Sequence, residues 1–402
     1  MTMDAGKGLT VVDSGMPRTS GSPFGRRRAP GGRLRTLTIL TGLVVLAIGV
    51  GQAAGTIPSQ AATAAQVLAA GPASVLAAGP ARNDGTAAGT ATAFTPAACT
   101  SGTCWIDVNV ATLWVSPSYP RPIDQPALAN PPDVPGWIAA MTVAQKRWLE
   151  GKLETQALYG TAVTVIGHDG TAWTRVAVPS QSTNRDGRGY PGWVPTRQLT
   201  STSPSNTGQT ATVRWKSAWL WSDWRASGVT GTKVMQVSYG NRLPVFSATS
   251  TYVVVTMIDG RHVALGRQVL SLHNSGTSWG ATRANVVAEA RKFLGLQYLW
   301  AGTSGFGFDC SGFTYSVYRT FGIALPRDAD RQAVHGTPVG YGSLLPGDLV
   351  FFRSGPGGPI IHVGLYVGGG NMIDAPHTGA PVRYDAVAAF GGYAGARRYL
   401  SR

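Results

Sequence analysis

Cysteine is scarce in this chain: three residues among 402 cannot build a disulfide scaffold, and their spacing matches neither a zinc ribbon nor a paired Cys-x-x-Cys site. Charge is scarce as well, at 13% of residues, and acids more so than bases, with 19 Asp and Glu against 34 Lys and Arg. Disorder throughout is nevertheless excluded, because a hydrophobic fraction of 43% with 12 Trp, 13 Tyr and 11 Phe can fill more than one core. The length predicts two or three domains, and 53 glycines with 26 prolines predict many turns and short strands. A formal net charge of +15 favours polyanionic partners. No nucleic-acid motif accompanies that charge, so nucleic acid is not expected among them.

The basic residues cluster first near the N-terminus. Arg26, Arg27, Arg28, Arg33 and Arg35 precede an uncharged stretch from Thr36 to Thr56, which contains LTILTGLVVLAIGV and then the small residues GQAAG. A basic leader, an apolar run and a cleavage site near Ala53 or Ala54 read as an export signal over residues 1–56. The uncharged stretch is almost long enough to span a bilayer, so signal peptide and signal anchor both stay open. Cleavage after Ala54 would remove a net +5 and leave +10. Residues 57–98 are Ala, Gly, Thr, Ser and Pro with VLAAGPA repeated at 67–73 and 75–81, the composition of a disordered linker with little to bury. The expected location is secreted or cell-wall associated, with membrane contact only through an uncleaved N-terminal segment. Anionic cell-wall polymers are the polyanions such a chain would meet.

Cys99 and Cys104 lie five residues apart in CTSGTC, and in an exported chain the simplest reading is a small disulfide loop opening the first folded domain. An internal repeat follows. VATLWVSP, ALYGTAVTVIGHDGTAWTRVAVP and GYPGWVPTRQL in 105–200 correspond to WKSAWLWSD, VSYGNRLPVFSATSTYVVVTMIDG and GRHVALGRQVL in 211–272. Each copy has an aromatic opening strand, a Tyr-Gly turn into alternating residues, and a closing strand ending in Arg-Gln. Runs such as TAVTVIGHDGTAWTRVAV alternate strand, glycine turn and strand, which is hairpin grammar. Two small antiparallel barrels are expected, at 99–200 and 210–274, joined by a linker at 201–209. They resemble the bacterial SH3-like domains of wall-associated enzymes, through GYPGWVPTRQL above all. Residues from Pro117 to Glu154 form an insert, proline-rich and then helical over MTVAQKRWLEGKLETQAL. A second linker is expected from Asn274 to Gly280. The tryptophans of these units read as core and hairpin pairs rather than a sugar platform, and His168 and Asp169 of GHDG as a turn.

Residues 281–402 carry the candidate chemistry. Val286, Val287, Ala290, Phe293 and Leu294 recur at helical spacing before Gly295 and the strand-like QYLW. After the loop AGTSGFGF comes DCSGFTYSVYRTFGI, where Phe313, Val317, Tyr318 and Phe321 again have helical period, so Asp309 and Cys310 begin a helix. A thiol there feels the positive end of the helix dipole, which favours the thiolate a nucleophile needs. Its base must be a histidine, with His335, His362 and His377 the candidates in this unit. DLVFF, IIHVGLYVG and NMIDAP read as three strands. His362 sits inside the second, and Asp374, twelve residues on, can face it from the third and orient the imidazole. Asp309 and Ser311 flank the thiol and suit either polar groups of a peptide or capping of the helix.

QYLWAG, FDCSGF, LLPGDLVFF, HVGLYVG and NMIDAP, in that order, resemble the NlpC/p60 family of papain-like cell-wall cysteine peptidases over residues 281–402. The resemblance implies an α+β catalytic domain with N-terminal helices packed on an antiparallel sheet. It implies Cys310 as nucleophile, His362 as base and Asp374 in the third position, where histidine is frequent in the family, with His377 the alternative third residue. It places Tyr298 beside the thiol as an oxyanion or substrate contact, and it implies neither metal nor cofactor. The substrate it implies is peptidoglycan or freed muropeptides, cut between γ-D-glutamate and diaminopimelate or lysine. SH3-like domains ahead of such a unit resemble γ-D-glutamyl-L-diamino acid peptidases, in which one narrows the substrate groove. A thiol-dependent amidase or acyltransferase on the same fold, and a non-catalytic wall-binding protein, are the alternative functions.

Overall fold

A computed structural model describes residues 99–402 apart from Thr171, residues 275–279 and Arg402. The export signal and the linker at 57–98 lie outside the described residues, as does most of the Asn274–Gly280 linker. The sequence repeat is a structural duplication. The first β unit holds β1 (Thr103–Ile106), β2 (Val110–Trp114), β3 (Leu153–Leu158), β4 (Ala162–His168), β5 (Trp173–Val178), β6 (Tyr190–Pro195) and β7 (Leu199–Thr200). The second holds β8 (Gln209–Val213), β9 (Ser217–Arg225), β10 (Gly228–Ser238), β11 (Arg242–Ala248), β12 (Tyr252–Thr256), β13 (His262–Gly266) and β14 (Leu270–Asn274). Their antiparallel sheets run β3-β2-β6-β5-β4-β1-β7 and β10-β9-β13-β12-β11-β8-β14, the same order strand for strand.

The units differ between their second and third strands. Residues 115–152 of the first unit carry α1 (Gln125–Leu128), α2 (Val134–Ala140) and α3 (Val143–Trp148), whereas β9 turns directly into β10. The helix expected over residues 141–158 is corrected here. It starts where expected, at a Thr142 and Gln145 capping box, but ends at Trp148. Gly151 then takes a φ of +72°, and Leu153–Leu158 pairs with β2 from Leu113↔Thr155 to Val110↔Leu158. Sheet pairing outweighs the helical pattern of KLETQAL. Trp114, Trp137 and Leu149 pack with Leu299, Ala301 and Phe306, so the insert fastens the first unit to the C-terminal one.

The C-terminal unit opens with α4 (Arg283–Arg291), a ribbon of β15 (Thr303–Ser304) and β16 (Gly307–Phe308), α5 (Cys310–Thr320) and α6 (Ala329–Gln332). An antiparallel sheet follows from β17 (Thr337–Val339), β18 (Leu349–Arg353), β19 (Ile360–Gly368), β20 (Asn371–Asp374), β21 (Arg383–Ala386) and β22 (Tyr393–Arg398), with α7 (Val387–Phe390) before the last strand. Its order is β17-β22-β18-β19-β20-β21. Phe293, Phe308, Phe313 and Val317 meet Phe351, Val363 and Leu365 in one core, which seats α5 on the sheet. Among the described residues no helix is long and apolar enough to cross a membrane.

Candidate active site

Helix α5 begins at Cys310 because Asp309 caps it. The Asp309 backbone is extended, and its Oδ1 accepts from the Gly312 N–H at 2.6 Å. Cys310 therefore lies in the first helical turn, where backbone N–H groups have no partner within the helix. It is the free cysteine among the described residues, since Cys99 and Cys104 are joined in a disulfide.

The sheet delivers the imidazole. His362 on β19 pairs with Phe352 on β18, while Leu365↔Ile373 and Tyr366↔Met372 set the register to β20. Continued along the strand, that register puts Asp374 on the face of His362, one diagonal step away. Nε2 of His362 and Oδ2 of Asp374 are 2.7 Å apart, and both residues are buried. Phe390 stacks on the ring at 4.5 Å and an interplanar angle of 10°. Cys310 is near enough to His362 to act on its protonation. With Nε2 engaged by the carboxylate, Nδ1 is the nitrogen left for the thiol.

Burial pulls the His362 pKa down, but the hydrogen bond to Asp374 and the nearby Cys310 outweigh it and lift the value from 6.5 to about 9. Burial also moves Asp374 upward, against the pull of His362. The charged imidazolium is the direction the geometry supports. Asp374 Oδ1 is buried without a hydrogen-bond partner, so His362 is the near group answering that carboxylate. Tyr298 is buried beside them, and burial, followed by the charges of Cys310 and Asp309, holds its hydroxyl well above its ordinary value of 10. It stays a hydrogen-bond donor at any working pH.

A cleft of about 640 Å³ opens over Cys310 and Tyr298. Tyr298, Trp300, Asp309, Cys310, Ser311 and Ile361 form one side, and Arg327, Asp328 and Asp330 the end around α6. Val115, Leu153, Glu154, Arg185 and Tyr190 from the first β unit close the other side. Asp309 and Ser311 line the cleft with internal partners. Arg327, 2% exposed, donates to Asp309 Oδ2 at 2.6 Å and Oδ1 at 3.1 Å, to Ser311 Oγ at 3.0 Å and to Thr155 Oγ1 at 3.0 Å. Burial pulls the guanidinium's pKa down, and the charge and hydrogen bonds of Asp309 more than offset it.

His377, the alternative third residue, lies in the loop beyond the strand. It is exposed beyond β20 with Nδ1 on the Thr378 carbonyl at 3.1 Å, because the strand has ended and the chain turns away before reaching it. Sequence reasoning missed Glu154, Arg185, Tyr190, Arg327 and Asp328. The run LPRDAD after a helix was the available signal for the last two, but their partners in the first β unit lie 138 to 172 residues upstream. Among the described residues no group of three His, Cys, Asp or Glu could hold a metal ion.

A thiol at a helix start, an imidazole against it and a carboxylate behind the imidazole are the arrangement that nucleophilic acyl transfer requires. Residues 295–393 match the model of the NlpC/P60 family, and residues 149–199 that of the bacterial dipeptidyl-peptidase Sh3 domain. A gamma-D-glutamyl-L-lysine dipeptidyl-peptidase of Bacillus cereus is 40% identical over 306 residues, covering 74% of this chain and 90% of the relative. The chain belongs to the NlpC/P60 family. A protein of the same name from Bacillus subtilis is 38% identical over 277 residues, covering 68% of the chain and 90% of the relative. The crystal structure of an NlpC/P60 family protein from Bacillus cereus superposes with a TM-score of 0.69 at 39% identity, covering 74% of this chain and all of that one. NlpC/P60 proteins are cysteine peptidases, so the chain is a hydrolase of that class. The coarse expectation of a peptidase related to peptidoglycan holds.

Proposed function

We propose that this NlpC/P60 protein is an exported peptidase that cuts peptidoglycan stem peptides at the γ-D-glutamyl–diamino acid bond and releases the dipeptide ahead of it. The observation that carries the reading is Cys310 at the start of α5 against the His362–Asp374 pair, inside a cleft whose far side is the first β unit. The names of the two Bacillus relatives support the bond, and the basic leader with its apolar run supports export. Removing a dipeptide requires a cleft that ends two residues before the scissile bond. Glu154, Asp328 and Asp330 line this one with carboxylates, which suit a terminal ammonium.

The Cys310 thiolate attacks the γ-carbonyl carbon, and its oxygen becomes an oxyanion facing the Cys310 N–H and the Tyr298 hydroxyl. His362 gives its proton to the departing amine as the C–N bond breaks, leaving a thioester. The neutral imidazole then takes a proton from water, whose hydroxide attacks the thioester, and the thiolate departs with a free dipeptide carboxylate. Asp374 holds the ring orientation throughout. Mass spectrometry of purified muropeptides incubated with wild type and Cys310→Ala tests the reading. The dipeptide and the shortened stem should appear with wild type and fall by at least about 10³-fold with Cys310→Ala. Equal release by both, or cleavage at another bond, would refute it.

A further inference from the structure

Both carboxylate oxygens of Glu154 on β3 are already taken. Arg185 donates to Oε1 from Nη2 at 2.7 Å and to Oε2 from Nη1. Its guanidinium also lies over the Tyr190 ring at 5.4 Å, and Nη1 reaches the Tyr190 hydroxyl at 3.3 Å. Tyr190 donates in turn to Asp328 Oδ1 at 2.9 Å. All four side chains line the cleft over Cys310. The ion pair is lopsided: the Glu154 side chain is 9% exposed and that of Arg185 43%. The acid is set in the wall, while the guanidinium reaches it from solvent on the loop between β5 and β6. The other ion pair of the cleft, Arg327 with Asp309, is buried on both sides and tied to Thr155 and Ser311. One pair is closed off from water, and the other opens to solvent on its guanidinium side.

We propose that Arg185 is an internal stand-in for the substrate's terminal ammonium, occupying Glu154 in the empty cleft and swinging into solvent when an unblocked peptide end arrives. The proposal rests on the reading that a free amino end docks at this end of the cleft. A buried carboxylate without a partner is costly, so the empty enzyme needs a cation there. An ammonium brings equal charge and three donors, and the exchange leaves the wall's charge balance unchanged. Arg185 thus keeps Glu154 ready and competes with substrate for it, which makes it a specificity-setting residue outside the chemical step.

The test compares stem peptides with free and N-acetylated amino ends on wild type, Arg185→Gln and Arg185→Lys, with melting curves confirming that each variant folds. Without its competitor the free-amine peptide should bind Arg185→Gln more tightly. Its KM should fall about two- to five-fold, the weight of a half-exposed ion pair, while kcat stays unchanged. Arg185→Lys should lie between, and the acetylated peptide should remain poor in all three. A KM that is unchanged or higher in Arg185→Gln overturns the stand-in. If wild type cuts acetylated and free peptides equally well, the underlying ammonium reading fails instead, and the two failures are separately visible.

Discussion

In the first β unit β2 and β3 are separated by residues 115–152, while in the second β9 turns straight into β10, although both sheets have one strand order. Trp114 and Trp221 close corresponding strand pairs, Trp114↔Trp193 and Trp221↔Ala264. Trp114 is buried with Trp137 of the insert at 6.5 Å, whereas Trp221 is half-buried with Lys233 5.8 Å from its ring. The insert covers a sheet face that is open in the second copy and packs it against the C-terminal unit. What the copies keep in common is the Tyr-Gly turn. Tyr159 enters the core of the second unit and accepts from the Ile258 N–H at 2.7 Å. Tyr239 enters the C-terminal core, edge-on to Phe293 at 4.7 Å, and bonds Thr320 Oγ1 at 2.9 Å. Each copy therefore plugs into the domain that follows it. Duplication supplies the assembly, and insertion turns the first copy toward the chemistry.

If that division is right, the strongest effects come from the joints. Arg327→Ala should break the bond between the first unit and the capped catalytic helix, leaving Asp309 buried and unpaired. A loss of about 3–5 kcal/mol in urea unfolding is expected, together with lost activity. Tyr239→Ala should cost about 3 kcal/mol by emptying a core site, yet spare kcat and KM at temperatures where the protein stays folded. A changed KM there would give the second unit a part in substrate binding and erase the distinction.

Neither tyrosine plug should affect the pH profile, because His362 answers to Asp374 and Cys310. Its folded pKa of about 9 lies above the ordinary 6.5, so its stabilising proton is fully present below 6.5 and lost as pH rises through about 9. Cleavage should fade over the same alkaline range as the acid for the departing amine disappears. Asp374→Asn should move that limb down, and Tyr239→Phe should leave it in place. The smallest effect lies between the β units. Burial, then the charge of Asp259, raises Asp107 from 3.8 to about 6 despite Arg261. The folded protein holds that proton longer than the unfolded chain, so stability falls as pH rises from about 4 to 6. Asp107→Asn should raise the unfolding free energy at pH 7, by at most about 1 kcal/mol given its partial exposure, with no gain below pH 4.

The catalytic unit was readable because its signals are local. The helix start at Asp309–Cys310, the apolar strand around His362 and the strand ending at Asp374 follow from helical and two-residue periods over short stretches. The KLETQAL strand was misread because its pattern suits a helix and its partner β2 lies beyond the insert. Glu154, Arg185 and Tyr190 left no signal at all. Nothing local distinguishes a cleft-lining carboxylate or arginine from any other on a hairpin.

By itself the amino-acid order determined the duplicated β units, the helix that presents a thiol and the strand that presents an imidazole, since each depends on neighbours within one element. Only the tertiary structure set Asp374, the residue already favoured over His377, 2.7 Å from His362, fastened Asp309 to the first unit through Arg327, and covered Glu154 with Arg185. Those outcomes depend on sheet register and domain docking, where contacts between residues 12 to 172 positions apart are selected by burial and charge pairing and not by local conformational preference.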